Sequence, residues 1–196
     1  MLKPAVVPGE DAGTIGLEDR ASDGVGLLNW LDMRSAAELA DLYRNAPESV
    51  SLEPLDYAGL CRGMSLVGFR RGFLAQWLRR RARSARFIWR GKRFKSVDAQ
   101  LGYGINELLF VRRFRALRFQ ARIAQSIVDG RQCIAIDYNY TDNKNPWFQR
   151  PMYDELREVR DGLYMGPVTY RFPFGRRRVL CYFAVHVEMP RTEGAD

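Results

Sequence analysis

The chain has 196 residues, 46% of them hydrophobic and 28% charged, with a formal charge of +8 at neutral pH. That length suits one core of ordinary size, and the composition excludes collagenous, wholly disordered and coiled-coil chains. Three cysteines without C-x-x-C spacing and a single histidine argue against a disulfide framework, a structural zinc site and a two-histidine iron triad.

Residues 1–26 are rich in Gly, Asp and Glu and read as a loose tail, with 27–190 as a single domain and 191–196 as a second tail. No apolar run reaches the roughly 18 residues needed to span a bilayer, and the first residues lack a basic stretch leading into an apolar one. A cytoplasmic protein is therefore expected, with peripheral membrane contact as an option. Ser35 followed by Glu38 is a capping box, opening a short helix through Leu39, Leu42 and Tyr43 that Pro47 stops. Residues 54–69, with Gly59, Gly63 and Gly68 among apolar side chains, read as a connector.

The positive charge is concentrated in one place. Residues 70–95 hold eleven of the 31 basic residues and no acidic one, leaving 20 basic residues against 23 acidic elsewhere. Wound as a helix, residues 73–89 place Phe73, Trp77, Leu78, Ile88 and Trp89 on one arc and Arg79, Arg83 and Arg86 opposite, with Arg80 near the boundary. A basic amphipathic helix within 70–95 is predicted. Its apolar arc either packs on the core or rests on an anionic membrane, with Trp77 in the acyl boundary and Arg79, Arg80, Arg83 and Arg86 among headgroups. Nucleic-acid contact ranks lower, because stacking rings and cations fall on opposite sides of that helix.

Downstream the period becomes two. Leu117, Phe119, Ala121 and Ile123 alternate with polar residues, Asp129-Gly130 marks a turn, and Ile134, Ile136, Tyr138 and Tyr140 alternate again, which makes a hairpin. A polar turn ends at Pro146, Asp161-Gly162 separates two further segments, and 173–175 is the last turn. Beyond it Val179, Cys181, Phe183, Val185 and Val187 face one way and Tyr182, Ala184 and His186 the other. The fold class is α+β: an antiparallel curved sheet or barrel with N-terminal helices. Gly102-Tyr103-Gly104 lacks the third glycine and the βαβ setting of a dinucleotide fingerprint.

The run Phe87-Ile88-Trp89-Arg90-Gly91-Lys92-Arg93-Phe94, with Asp154-Glu155-Leu156-Arg157-Glu158-Val159 and Asp161-Gly162-Leu163-Tyr164-Met165-Gly166, resembles a bacterial family of small lipocalin-like barrels with a helical N-terminal extension. Gly91 also makes it distantly similar to the Gly-x-Trp-x-Gly barrels, although Phe87 stands where their first glycine belongs. The resemblance implies a barrel with an internal cavity and names no activity.

Three functional readings follow. The first is binding of a small hydrophobic molecule of fatty acid, sterol or isoprenoid type, lined by Phe119, Ile136, Tyr170 and Phe183, with the basic helix on an anionic membrane. The second is an isomerase, cyclase or hydratase using His186, Asp137, Tyr138 and Tyr164 as acids and bases. The third is haem binding through His186, or nucleic-acid binding. No cofactor, metal site or oligomeric state is assigned. Asp154, Glu155 and Glu158 beside Arg157 and Arg160 read as a solvated ion-pair surface, with a paired-carboxylate acid/base site, which would need burial, as the lesser alternative.

Overall fold

In the computed structural model, residues 24–57, 61–66, 89–109, 113–140 and 144–187 are described. Eight antiparallel strands close into a barrel in sequence order: β1 (Cys61–Leu66), β2 (Trp89–Ser96), β3 (Leu101–Leu109), β4 (Arg113–Gln125), β5 (Gln132–Asp137), β6 (Met152–Arg160), β7 (Leu163–Arg171) and β8 (Arg177–His186). The seam is made by β1, which pairs with β8 from Arg62↔His186 to Leu66↔Tyr182 and with β2 at Cys61↔Lys92 and Arg62↔Gly91. Closure gives every strand a neighbour on both sides, although β1 and β2 share only two residue pairs.

Among the described residues, three helices precede the barrel: α1 (Gly24–Asp32), α2 (Ala36–Asn45) and α3 (Glu53–Tyr57). The capping box forms as the spacing demands. Ser35 Oγ accepts from the Glu38 amide at 3.3 Å, and the Glu38 carboxylate accepts from the Ser35 amide at 2.7 Å. Ala46, before Pro47, is extended and ends α2. Helix α1 begins at Gly24, inside the stretch read as tail, while 1–23 and 188–196 lie outside the described residues. No helix among the described residues is long and apolar enough to cross a membrane.

Two assignments from the sequence change. Residues 54–69 hold most of α3 and all of β1. The glycines there suggested a connector, but a Cβ at Gly63 would sit 2.3 Å from the Trp89 ring, so this strand needs a glycine where the indole crosses it. The predicted helix also cannot run to residue 89 or 95, because Trp89–Ser96 is β2. From Trp89 onward Lys92 and Phe94 are buried while Arg93 and Lys95 are less so, a strand alternation that the density of charge concealed. Residues 67–88 lie outside the described residues, and with them Trp77, Arg79, Arg80, Arg83 and Arg86.

Apolar burial is divided between two clusters. One lies on the lumen side of the wall and includes Phe94, Phe119, Ala121, Ile136, Leu156, Tyr164, Phe183, Val185 and Val187, joined by Leu52 and Leu55 from α3 and the turn before it. Helix α3 is tied to this end by the Leu52 amide on Ala99 O at 3.0 Å and by Asp56, which accepts from the Ser96 amide and hydroxyl. The second cluster packs Leu27, Leu28, Leu31, Leu39 and Tyr43 of α1 and α2 against Leu66, Leu163, Met165, Tyr182 and Ala184 on the outer wall. The alternation read for β8 thus serves two apolar faces, one in the lumen and one under helices.

Candidate functional site

Inside the barrel, away from α3, lies a polar cluster with no counterpart among the sequence candidates except Tyr138. Its centre is Lys92, whose residue exposure is 2%. The ammonium donates to Asn106 Oδ1 at 3.1 Å, to the Tyr138 hydroxyl at 2.5 Å and to Asp154 Oδ2 at 3.0 Å, so all three protons have acceptors. Tyr138 donates to the same Asp154 oxygen at 2.9 Å, and Trp89 Nε1 donates to Asn106 Oδ1 at 2.7 Å. Rings of Trp89, Phe119, Tyr138 and Phe183 stand 4.9 to 5.5 Å from Nζ, within cation–π range.

Backbone irregularities place these groups. Between Ile105 and Asn106 the β3–β4 register slips, and Leu117, left without an opposite partner, takes φ 59°, an uncommon conformation for a non-glycine residue. Its carbonyl then accepts from Asn106 Nδ2 at 3.0 Å, orienting that amide with its oxygen toward Lys92. Phe119 lies directly over Gly104, where a Cβ would come within 2.3 Å of the ring.

Burial sets the electrostatics. It pushes the Lys92 ammonium below its usual range, with Asp154 acting in the opposite direction, and it drives the Tyr138 phenol well up, with the Asp154 charge adding to the effect. Within this cluster one polar atom remains without a match: Asp154 Oδ1 is buried and has no hydrogen-bond partner among the described residues. A buried ion pair is often no more stabilising than an apolar pair of the same volume, so this arrangement is poor value as a staple alone.

Asp154 and Glu155 correct the reading of a solvated acidic surface. Both are buried, on opposite faces of β6. Asp154 enters the lumen, whereas Glu155 lies beneath α2, accepting from the Tyr43 and Ser126 hydroxyls and the Ile127 amide. Arg157, fully buried beside it, makes a forked pair with Asp129 at 2.6 and 2.7 Å and donates to Tyr43 O, Arg131 O and Gln132 O. The helix covering this wall is what removes these charges from water.

The proposed catalytic residues are not assembled together. Tyr138 joins the Lys92 cluster. Tyr164 is buried in the lumen, its phenol pushed up by burial. Asp137 ends β5 on the outer face, accepting from the Asn139 amide at 2.8 Å. His186 ends β8 on the face opposite Phe183 and Val185, across from Arg62 and Leu163. Of the ligand-lining candidates, Phe119, Ile136 and Phe183 belong to the lumen, and Tyr170 sits at the rim with its hydroxyl on Phe148 O at 3.0 Å. The thiols of Cys61, Cys133 and Cys181 are pushed up to about 12 by burial and stay protonated.

Lys92 and Asn106 escaped the sequence reading as site residues, and Asp154 was read mainly as a surface charge. A signal was there in parity: Lys92 is two residues from Phe94 and Asp154 two from Leu156, so each shares a strand face with a lumen residue.

On the outer wall, an open recess of about 750 Å³ is lined by Arg93, Lys95, Arg115 and Arg118 together with Tyr103 and Tyr140. No family model matches the chain, and no curated protein matches it. A crystal structure of a protein from Thermomonospora curvata is similar at 20% identity, covering 87% of this chain and 99% of that one with a TM-score of 0.49.

Proposed function

We propose that the barrel is a lipocalin-like binding protein for one small, mainly apolar molecule that carries a hydrogen-bond donor, such as a sterol or an isoprenoid alcohol. The observation that carries this reading is Asp154 Oδ1, a buried charged acceptor left unmatched beside Lys92 and walled by aromatic rings. An unsatisfied buried acceptor costs about 1–3 kcal/mol, and a ligand hydroxyl placed on it recovers that cost. Fatty acids fit less well, since their carboxylate would meet Asp154 as a like charge. The chain's own aromatic and aliphatic lumen residues, Phe119, Ile136 and Phe183, provide the apolar contact.

Trp89 stands at the cluster, so quenching of tryptophan emission is a direct readout. Farnesol and cholesterol are expected to bind saturably, and their deoxygenated hydrocarbons about tenfold more weakly, as one lost charged hydrogen bond implies. Asp154→Leu should erase the preference for the alcohol. Equal affinity for alcohol and hydrocarbon, or no saturable binding of either, would reject the reading.

A further inference from the structure

The barrel's two ends differ in chemistry. One is closed by α3. At the other, the β5–β6 and β7–β8 connections meet, joined by the Arg171 amide on Pro151 O at 3.1 Å and the Tyr170 hydroxyl on Phe148 O at 3.0 Å. These connections expose large aromatic side chains. Trp147 is 79% exposed, and Phe174, at the tip of the 3-10 turn Pro173–Gly175, is completely exposed. Phe148 and Phe172 beside them are also open to solvent.

Phe174 combines that exposure with φ 67°, a left-handed conformation that is costly for an aromatic residue and that no packing around it explains. The same turn is flanked by Arg171, Arg176, Arg177 and Arg178, and no Asp or Glu occurs between residues 162 and 187. Aromatic tips surrounded by arginines match a bilayer interface, where rings enter the acyl boundary and guanidinium groups meet anionic headgroups. A nucleic-acid strand would require rings lying along a groove; here they stand on the ends of hairpins.

We infer that this end of the barrel docks on anionic membranes, with Phe174 and Trp147 as the inserting side chains and Arg176 and Arg178 as headgroup contacts. The residues that carry it, Trp147, Phe174, Arg176 and Arg178, all lie outside the basic run 70–95 that suggested membrane contact from the sequence, and the inference does not depend on the lumen binding a ligand.

Sedimentation with phosphatidylcholine vesicles, with and without phosphatidylserine, tests the inference. The protein should pellet with phosphatidylserine vesicles and much less with neutral ones. Phe174→Ser, which removes a side chain without internal contacts, should weaken binding about tenfold or more. Arg176→Gln and Arg178→Gln should each weaken it about fivefold. The assay is run on the wild-type protein and the tip variants with no apolar ligand added, which separates failure here from failure of the ligand reading. Vesicle binding indifferent to all three tip substitutions would overturn the inference, as would tip substitutions that abolish binding to oligothymidylate in a protein that ignores vesicles.

Discussion

Lys92 Nζ and Asp154 Oδ2 lie 3.0 Å apart although β2 and β6 are not neighbours in the barrel wall. The pair therefore spans the lumen and links two opposite parts of the sheet. Deleting one partner leaves the other charge buried and unmatched, whereas deleting both leaves none. Lys92→Met or Asp154→Leu alone should cost about 3–5 kcal/mol in urea denaturation, and the double variant clearly less than either. Additive losses would show that the two groups act separately.

Acid sensitivity should trace to Asp129. Hydrogen bonds from Arg157 hold its carboxyl down at about 2, against an ordinary value of 3.8. A depressed folded-state value means that the stabilisation is present in full above the unfolded value and is lost as pH falls through the folded one. The urea midpoint of the wild type should thus drop between about pH 4 and pH 2, and that of Asp129→Asn should start lower and drop less over this window.

Helix α2 is anchored by Tyr43, whose hydroxyl donates to the buried Glu155 carboxylate. Tyr43→Phe keeps the ring and removes that donor, at an expected cost of about 1–3 kcal/mol. Ser126→Ala removes another donor to the same oxygen. Because both serve one carboxylate, the double variant's thermal unfolding should depart from additivity.

Gly104→Ala is a small change with a large local effect. The added methyl would meet the Phe119 ring at 2.3 Å and Arg93 O at 2.4 Å, so the ring must leave its place over Lys92. A loss of about 1–3 kcal/mol is expected. Near-ultraviolet circular dichroism should change while the far-ultraviolet spectrum is kept.

The strands after residue 113 were legible because their side chains alternate and their turns carry glycine: Phe119, Ala121, Ile134 and Ile136 are all buried as the period-two pattern required, and Gly130 and Gly162 take the positive φ expected of turns. The capping box at Ser35 was equally plain, since it is local. The first two strands were harder to see. Gly63 made β1 resemble a loop, and the basic run made β2 resemble the end of an amphipathic helix. The polar cluster was missed for a different reason. Its members come from β2, β3, the residue after β5, and β6, and nothing in Lys92 or Asp154 taken singly distinguishes a lumen charge from a solvated one. Only closure of the sheet brings them together.

That closure orders the chain's assembly in time. The strand nearest the N-terminus of the sheet is gripped along most of its length by the last, Leu66 facing Tyr182 and Arg62 facing His186, and by only two residues of its sequence neighbour. A ribosome would have delivered seven strands before the first could find its main companion, so the nascent meander waits with both flanks uncovered. Such long-range pairing favours slow folding. Chains interrupted ahead of residue 177 should be prone to joining one another edge to edge.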